Sequence, residues 1–357
     1  MSLNLFNPEH DLCLANGDPN FVPPASALEF GRDCFGLTDW IEKSSDDKLV
    51  PWGWDAVLKC RLKKAGIPEC LLPSDAALDN IRELSRRGVA LRAGAYVSSH
   101  VRSSCPSLSG FLRSTDEVME FSEADTAVVQ ADKFVEAVMK APLSGSGRGL
   151  RWIRSGEISR NDLCWCRSVV SRQGSVMVEK RREVVRDFAM LFHVGEDVVS
   201  FEGYSLFYCA NGSYRGNVLA SDGRILSILS DYVPEALVLN VREALTRYVA
   251  ETFCGKYIGF VGADMFIFRD GDGFGLASCV EFNVRMTMGL LARRVYDRHL
   301  GGLLKISDMQ AADGKFVMNV EHSASRGELY SRLGHVVALT DVTPESRYAV
   351  WITPSCV

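Results

Sequence analysis

The chain has 357 residues, 47% of them hydrophobic and 24% charged, which is the composition of a globular protein large enough for two or three structural units. Its formal net charge of −5 argues against a general nucleic-acid-binding protein, because such proteins normally carry a basic excess. The start MSLNLFNPEHD lacks a charged region followed by an apolar core, and no run of about 18 apolar residues occurs, so neither a signal peptide nor a membrane span is predicted. The eleven cysteines lack the spacing of a disulfide framework or a zinc site, which indicates free thiols in the cytoplasm.

The first predicted unit covers residues 1–95 and has an α/β pattern. LNLF near its start is typical of a short strand. Residues 48–66 are typical of a strand end that runs into a helix, and residues 75–88 are typical of a second helix. The helices are expected to stop at Gly66 and Gly88, because each glycine follows basic residues.

The motif NPEHD follows the first strand, at the place where the ligand crevice of an α/β sheet opens. Glu9, His10 and Asp11 are therefore candidates to bind an amine or to act as a base. A capped turn explains the motif equally well, because Asn-Pro and Asp favour turns.

The second predicted unit covers residues 96–180. A strand-like segment ends at Lys140 and continues into KAPLSGSGRG, a loop whose glycines expose backbone N–H groups suited to phosphate. The lysine precedes the glycines, so this is not the P-loop pattern. An ordinary surface turn is the alternative interpretation.

The third predicted unit covers residues 181–315 and contains the clearest helix of the chain, PEALVLNVREALTRYVAETF. Within it, Tyr214, Arg215 and Asn217 are candidates to line a substrate pocket, although a surface hairpin at Asn-Gly explains part of the same stretch. Residues 316–357 are expected to pack on the third or the first unit.

The most informative segment is GADMFIFRDGDGFGLASCVEFNVR, which has turn residues between two apolar runs and predicts a β-hairpin. A hairpin that is symmetric about Asp272–Gly273 places Asp264 opposite Glu281, with Cβ atoms about 4.5–5.5 Å apart. Strand alternation then puts Asn283 and Arg285 on the same face as the two carboxylates.

Two carboxylates that face each other repel, so a positive charge is expected between them. A hard divalent cation such as Mg²⁺ suits the oxygen ligands of Asp264, Glu281 and Asn283. The alternative is a solvated sheet face on which Arg285 neutralises the charge.

The same segment also contains a weak calcium-loop pattern over residues 270–281. Phe274 occupies a position that requires an oxygen ligand, and the flanking segments resemble strands rather than helices. A calcium-binding module is therefore the remote alternative.

Taken in order, these motifs resemble the ATP-grasp superfamily over about residues 96–310. The resemblance rests on the strand ending in lysine with its glycine- and serine-rich loop, on SVMVEK with the following RREVVRDF, and on the acidic segment that ends in E-x-N-x-R. It implies an α/β (α+β) fold in which residues 96–180 and 181–315 form lobes that grip a nucleotide. Residues 1–95 would be a preceding Rossmann-like domain.

The resemblance further implies roles at the nucleotide. Lys140 and the glycine-rich loop would bind the ATP phosphates, Glu179 would accept a hydrogen bond from the adenine amino group, and the backbone of Lys180 and Arg181 would line the base. The loop residues implied at the phosphates are Ser144, Gly145, Ser146, Gly147, Arg148 and Gly149.

For the metal and the reaction, the resemblance implies that Asp264, Glu281 and Asn283 bind one or two Mg²⁺ ions. Arg285 would lie near the transferred phosphate or the substrate carboxylate, and Lys140 and Arg285 would be the catalytic cations.

The chain departs from the superfamily at an additional lysine expected early in the small lobe. The comparable stretch YVSSHVRSS offers His100 or Arg102 instead. A neutral histidine is a weaker partner for phosphate, and Arg148 in the loop is the candidate to compensate.

The resemblance implies a cytoplasmic ATP- and Mg²⁺-dependent ligase that activates a carboxylate as an acyl-phosphate for attack by an amine. The expected partner is a small-molecule substrate, an amino acid or a peptide, with no nucleic acid and no membrane. A nucleotide-binding protein without ligase activity is the alternative. The sequence leaves the substrate and the oligomeric state, including a homodimer, open.

Overall fold

The structure is a computed structural model that describes residues 3–41, 49–145, 149–210 and 213–355. The α/β (α+β) class is confirmed, with sheets that are mainly antiparallel. The predictions for Ser146, Gly147 and Arg148 lie outside the described residues.

The N-terminal region combines a short parallel strand pair with helices. Its elements are β1 (Leu3–Leu5), α1 (His10–Asn16), α2 (Ala25–Asp33), β2 (Leu49–Pro51), α3 (Ala56–Lys64), α4 (Asp75–Leu84) and α5 (Arg87–Ser104). β1 and β2 pair in parallel over three residues each. A larger Rossmann-like sheet is not confirmed in the described part of this region.

Gly88 does not end a helix as the sequence predicted. Helix α4 ends at Leu84, Arg86 adopts an extended conformation with ψ of 138°, and α5 begins at Arg87. A Cβ atom at Gly88 would lie 2.4 Å from a carboxylate oxygen of Glu120, so glycine allows a close approach here.

The next region forms an α+β unit. Its elements are β3 (Val118–Phe121), α6 (Ala124–Asp132), β4 (Glu136–Lys140), β5 (Leu150–Arg154), α7 (Arg160–Gln173) and β6 (Val176–Lys180). The strands pair antiparallel in the order β3-β6-β4-β5. Helices α6 and α7 share a buried cluster with one face of this sheet, including Ala137 and Val178. Strand alternation places Lys140 and Glu179 on the opposite face.

The remainder of the chain builds a larger sheet. Its elements are β7 (Val184–Val194), β8 (Val199–Ala210), β9 (Ser213–Leu219), α8 (Asp222–Ser230), α9 (Glu235–Phe253), β10 (Gly259–Asp270), β11 (Gly273–Asn283), α10 (Met288–Arg294), α11 (Leu300–Leu304), α12 (Met309–Ala312), β12 (Phe316–His322), α13 (Glu328–Ser331), β13 (Val337–Ala338) and β14 (Tyr348–Pro354). The strand order is β11-β10-β7-β8-β9-β12-β14-β13. Strand β12 pairs with β9, so the C-terminal strands extend the sheet of the third predicted unit.

Helices α5 and α9 cover one face of the larger sheet. The apolar positions that predicted α9, such as Leu237, Val241 and Leu245, are fully buried. They share a core with Phe188 and Met265 of the sheet. The opposite face of β10 and β11 is therefore available for polar side chains. Among the described residues, no helix is both long and apolar enough to cross a membrane.

Candidate active site

The acidic hairpin has the predicted pairing of carboxylates. Asp264 of β10 lies opposite Glu281 of β11. The turn consists of Gly271 and Asp272, because Asp270 pairs with Gly273, so it lies earlier than the sequence analysis placed it. An irregularity between Asp264 and Phe266 then shifts the register of the two strands, and this shift brings Asp264 opposite Glu281. The calcium-loop alternative is wrong, because residues 273–281 lie in an extended strand.

The predicted faces of the hairpin are also confirmed. Met265, Phe282 and Val284 are at most 2% exposed and belong to the core. Asp264 and Glu281 instead line a cavity on the other face.

Burial, together with the Glu281 charge, raises the pKa of the Asp264 carboxyl to about 7. The amide nitrogen of Asn283 donates to Asp264 Oδ2 at 3.0 Å. Among the described residues, no group of three or more His, Cys, Asp and Glu side chains converges as a metal cluster, and this site likewise contributes two carboxylates, not three. The two carboxylates and one amide are hard oxygen ligands with an excess of negative charge, which fits Mg²⁺.

Arg285 is held by several partners on the cavity wall. Its Nε and Nη2 donate to the two carboxylate oxygens of Asp11 at 2.8 and 2.6 Å, and Nη2 also donates to Asn283 Oδ1 at 2.8 Å. Burial would raise the pKa of Asp11, but the Arg285 charge outweighs it and lowers that pKa. Of the NPEHD motif, Pro8 and Asp11 line the cavity, and Asp11 is the member that contacts the acidic hairpin's arginine.

Arg87 is the main cation that the sequence analysis missed. At the start of α5, its Nη1 donates to Glu281 Oε2 at 3.0 Å, Nη2 to Ser144 Oγ at 3.1 Å and Nε to the Ala141 carbonyl at 3.2 Å. Arg87 belongs to the sequence SRRG, in which Gly88 was interpreted as the end of a helix. His100 lies further along the same helix, outside the residues that line the cavity.

Lys140 and Glu179 form a buried ion pair on the smaller sheet. Lys140 Nζ lies 2.8 Å from Glu179 Oε2, and Nη1 of Arg113 lies 3.3 Å from the same oxygen. Burial would raise the pKa of Glu179, but the two cations outweigh it and lower that pKa to about 2. Burial lowers the pKa of Lys140, and nearby Arg87 contributes in the same direction. Arg113 is a second cation that the sequence analysis did not name.

The start of the glycine-rich loop reaches the cavity, and its far described end pairs back with the residue after Lys140. Ser144 and Gly145 line the cavity, and the Gly149 carbonyl accepts from the Ala141 N–H at 2.9 Å. A Cβ atom at Gly145 would lie 2.8 Å from Cβ of Asp11, so the loop contacts the N-terminal region closely.

The side chains of Lys180 and Arg181 contact neighbouring carboxylates. Lys180 Nζ lies 3.3 Å from Glu117, and Arg181 Nη1 lies 3.1 Å from Glu136. The proposed contacts of their backbone with adenine stay predictions.

The structure separates the substrate candidates into two groups. Tyr214 and Asn217 line the cavity; the Tyr214 hydroxyl donates to Asn217 Oδ1, and Asn217 Nδ2 donates to Ser205 Oγ at 2.6 Å. Arg215 is exposed and does not belong to the lining.

Glu9 and His10 are buried beneath the cavity lining. Glu9 accepts from Arg61 at 3.1 Å, and His10 Nδ1 lies 3.3 Å from Asp55 Oδ2. Asn7 donates to the Gly53 carbonyl at 2.8 Å. These contacts hold the start of α1 and thereby position Asp11.

The cavity has a volume of about 390 Å³, and the predicted nucleotide-binding residues Lys140, Glu179, Lys180 and Arg181 are not among the residues that line it. It lies where the N-terminal region, the start of the glycine-rich loop and the larger sheet meet. Its charged lining residues are Asp11, Arg87, Asp264, Glu281 and Arg285.

Comparisons with known proteins give structural similarities only. No family model matches the sequence, and no curated protein matches it. A crystal structure of N5-carboxyaminoimidazole ribonucleotide synthetase with ADP is 12% identical, with a TM-score of 0.49 over 99% of this chain and 92% of the other. The corresponding synthetase of Staphylococcus aureus with ADP is 10% identical, with a TM-score of 0.48 over 100% and 93% of the two chains.

Biotin carboxylase of Campylobacter jejuni in complex with β,γ-ATP is 12% identical, with a TM-score of 0.47 over 87% of this chain and 71% of the other. At these identities and TM-scores, the similarities do not by themselves assign a function to this chain.

Proposed function

We propose that this protein is an ATP- and Mg²⁺-dependent ligase of the ATP-grasp type, which activates a carboxylate as an acyl-phosphate for attack by an amine. The observation that carries the proposal is the facing pair Asp264 and Glu281 on a cavity wall beside Arg87. Two half-buried carboxylates next to a fixed guanidinium suit a phosphate that arrives with its metal ion.

The residues available for the nucleotide are divided between the two sheets. Lys140 and the loop after it come from the smaller sheet, whereas Asp264 and Glu281 come from the larger one. Arg87 contacts both sides, through Ser144 and Glu281. ATP bound between them would have its phosphates beside Arg87 and the loop N–H groups.

Phosphoryl transfer depends mainly on positioning and charge neutralisation. In the proposed reaction, a carboxylate oxygen of the substrate attacks the γ-phosphorus, the bond to the β,γ-bridging oxygen breaks, and ADP leaves. The amine then attacks the acyl carbon, phosphate leaves, and the nitrogen gives up a proton. Mg²⁺ held by Asp264, Glu281 and Asn283 would neutralise charge on the phosphate oxygens.

The first test is thermal unfolding with and without ATP and Mg²⁺. A ligand present at 100 times its Kd adds about 2.7 kcal/mol to the free energy of unfolding. Lys140→Ala, Glu281→Gln and Arg87→Lys should each reduce the shift in Tm, because each removes a metal ligand or a phosphate contact. Arg92→Ala is the matched control, since Arg92 is exposed on the same helix as Arg87. The absence of a shift for the unmodified protein would refute the proposal.

The second measurement separates a ligase from a nucleotide-binding protein without ligase activity. ADP release is followed with ATP, Mg²⁺ and mixtures of amino acids and short peptides. Release that requires both a carboxylate and an amine supports the ligase. A Tm shift without such release would leave only nucleotide binding.

A further inference from the structure

The cavity has a charged end and an aromatic end. The charged lining side chains contact one another or face one another: Asp11 pairs with Arg285, Arg87 pairs with Glu281, and Asp264 lies opposite Glu281. The other end is lined mainly by apolar side chains, namely Phe6, Phe30, Trp52, Phe207, Tyr214 and Val320.

The aromatic end is built by two different parts of the chain. Phe6 packs edge-on against Phe30 and Trp52, with ring centroids 5.5 and 5.0 Å apart. Phe207 and Tyr214 of the larger sheet are 6.4 Å apart between ring centroids. Phe6, Phe30, Trp52 and Val320 belong to, or pack on, one hydrophobic cluster, which holds this wall in place.

The polar groups at this end already bond to one another. Asn217 donates to Ser205 Oγ at 2.6 Å and to the Leu206 carbonyl at 3.3 Å, and its oxygen accepts from the Tyr214 hydroxyl. Burial raises the pKa of the Tyr214 phenol, so that hydroxyl stays neutral. A charged substituent placed here would lose its hydration without gaining a partner of opposite charge.

The two ends are directly connected. The Met286 N–H donates to the Trp52 carbonyl at 2.8 Å, so the backbone of Trp52 lies against the residue that follows Arg285. A molecule that places its carboxylate at the charged end would therefore extend its remaining atoms towards the rings.

We infer that the aromatic end is a specificity subsite for a carboxylate substrate with an aromatic or large aliphatic side chain. This inference rests on the proposed ligase function. The rings would select by apolar contact, for which a single methylene group changes specificity by about 10–200-fold.

The inference is tested with ATP, Mg²⁺ and hydroxylamine, which traps acyl-phosphates as hydroxamates. The carboxylates are phenylalanine, leucine, 3-phenylpropanoate, alanine, acetate, aspartate and lysine. We expect kcat/KM for one or more of the first three to exceed the values for the other four by at least about 10-fold. Equal or higher values for alanine, acetate, aspartate or lysine, or no hydroxamate with any of the seven, would overturn the inference.

Variants of Phe207 test whether the aromatic end determines the preference for apolar acids. Phe207→Ala should lower kcat/KM for the preferred apolar acid by about 10-fold, and Phe207→Leu should restore part of it. The Tm shift with ATP and Mg²⁺ should be retained in both. Phe35→Ala is the matched control, because Phe35 is 65% exposed and outside the lining. An unchanged preference in Phe207→Ala would count against the subsite.

The two failures are distinguishable. If ATP and Mg²⁺ do not raise the Tm of the unmodified protein, the proposed function fails and the subsite fails with it. If the Tm rises but apolar and charged acids are used equally, only the subsite is wrong.

Discussion

Asp264 carries the clearest electrostatic strain among the site residues. Its carboxyl is desolvated and faces Glu281, and among the described residues the Asn283 amide is the hydrogen-bond donor to it. Arg87 and Arg285 are already committed to Glu281 and Asp11. A cation that binds between Asp264 and Glu281 would offset this repulsion and stabilise the folded protein.

The first prediction concerns the pH dependence of stability. The folded-state pKa of Asp264 is raised from 3.8 to about 7, so the folded protein holds this proton more tightly than the unfolded chain does. The protonated carboxyl's contribution to stability is therefore fully present below pH 3.8 and is lost as the pH rises through about 7. In metal-free buffer, Asp264→Asn should therefore become more stable relative to the unmodified protein between about pH 4 and pH 7. A pKa change from 3.8 to about 7 corresponds to at most ~4 kcal/mol.

Urea unfolding at several pH values measures this difference. Asp272→Asn, in the exposed turn of the same hairpin, serves as the control. A stability difference between Asp264→Asn and the unmodified protein that stays constant with pH would contradict the assigned pKa. Added Mg²⁺ should reduce the advantage of Asp264→Asn, because it neutralises the carboxylate pair.

At the scale of elements, the β10–β11 hairpin sets the geometry of the site. Its register is regular from the turn to Phe266 and Ala277, then shifts before Asp264 meets Glu281. Such irregularities re-aim side chains in strands near functional sites. The regular part is held by Phe268, whose ring covers Gly275 on the paired strand.

The second prediction tests that part of the hairpin. A Cβ atom at position 275 would lie 2.4 Å from the Phe268 ring, which is itself 1% exposed, so Gly275→Ala should destabilise the protein by about 1–3 kcal/mol. Gly273→Ala is the matched control, because a Cβ atom there meets its nearest neighbour at 3.8 Å. Equal free energies of unfolding for the two variants would show that the ring moves aside without cost.

At the scale of the whole molecule, the two sheets have separate cores. The buried cluster of the smaller unit contains residues between 124 and 178, whereas the large core joins residues from 14 to 284. The two units are connected by polar contacts such as Arg113 with Glu179 and Arg182 with Asp270. A nucleotide bound by both units would add a further connection.

The third prediction follows from these separate cores. In the free protein, amide hydrogens of β4 and β6 should exchange faster than those of β7 and β10. ATP with Mg²⁺ at 100 times the Kd should slow exchange in β4 and β6 by up to about 100-fold, provided that opening of the smaller unit abolishes binding. ATP with a chelator is the control. Protection confined to the larger sheet would exclude a nucleotide held between the two units.

Some features were predictable because they depend on neighbours in sequence. The period of α9 and the alternation along β10 and β11 identify the buried positions without knowledge of the fold. The approximate symmetry of the hairpin was enough to pair Asp264 with Glu281, although the turn was placed too late and the irregularity was not foreseen.

The cation partners could not be predicted in the same way. Arg87 meets Glu281 across 194 residues, and Asp11 meets Arg285 across 274. SRRG and NPEHD look like ordinary helix-end and turn sequences, because nothing local indicates which distant carboxylate or guanidinium they will meet. Glu9, His10 and Asp11 are adjacent in sequence, yet only Asp11 among them lines the cavity.

The sequence by itself determined the α/β (α+β) class, the main helix and the acidic hairpin, since these follow from periodicity and turn chemistry within short segments. Only the tertiary structure decided that Arg87 contacts the acidic pair, that Asp11 holds Arg285 and that rings from two regions line one cavity. These outcomes depend on how α1, α5 and the larger sheet pack together. Packing brings distant residues into contact, and the pattern within any one segment does not encode that contact.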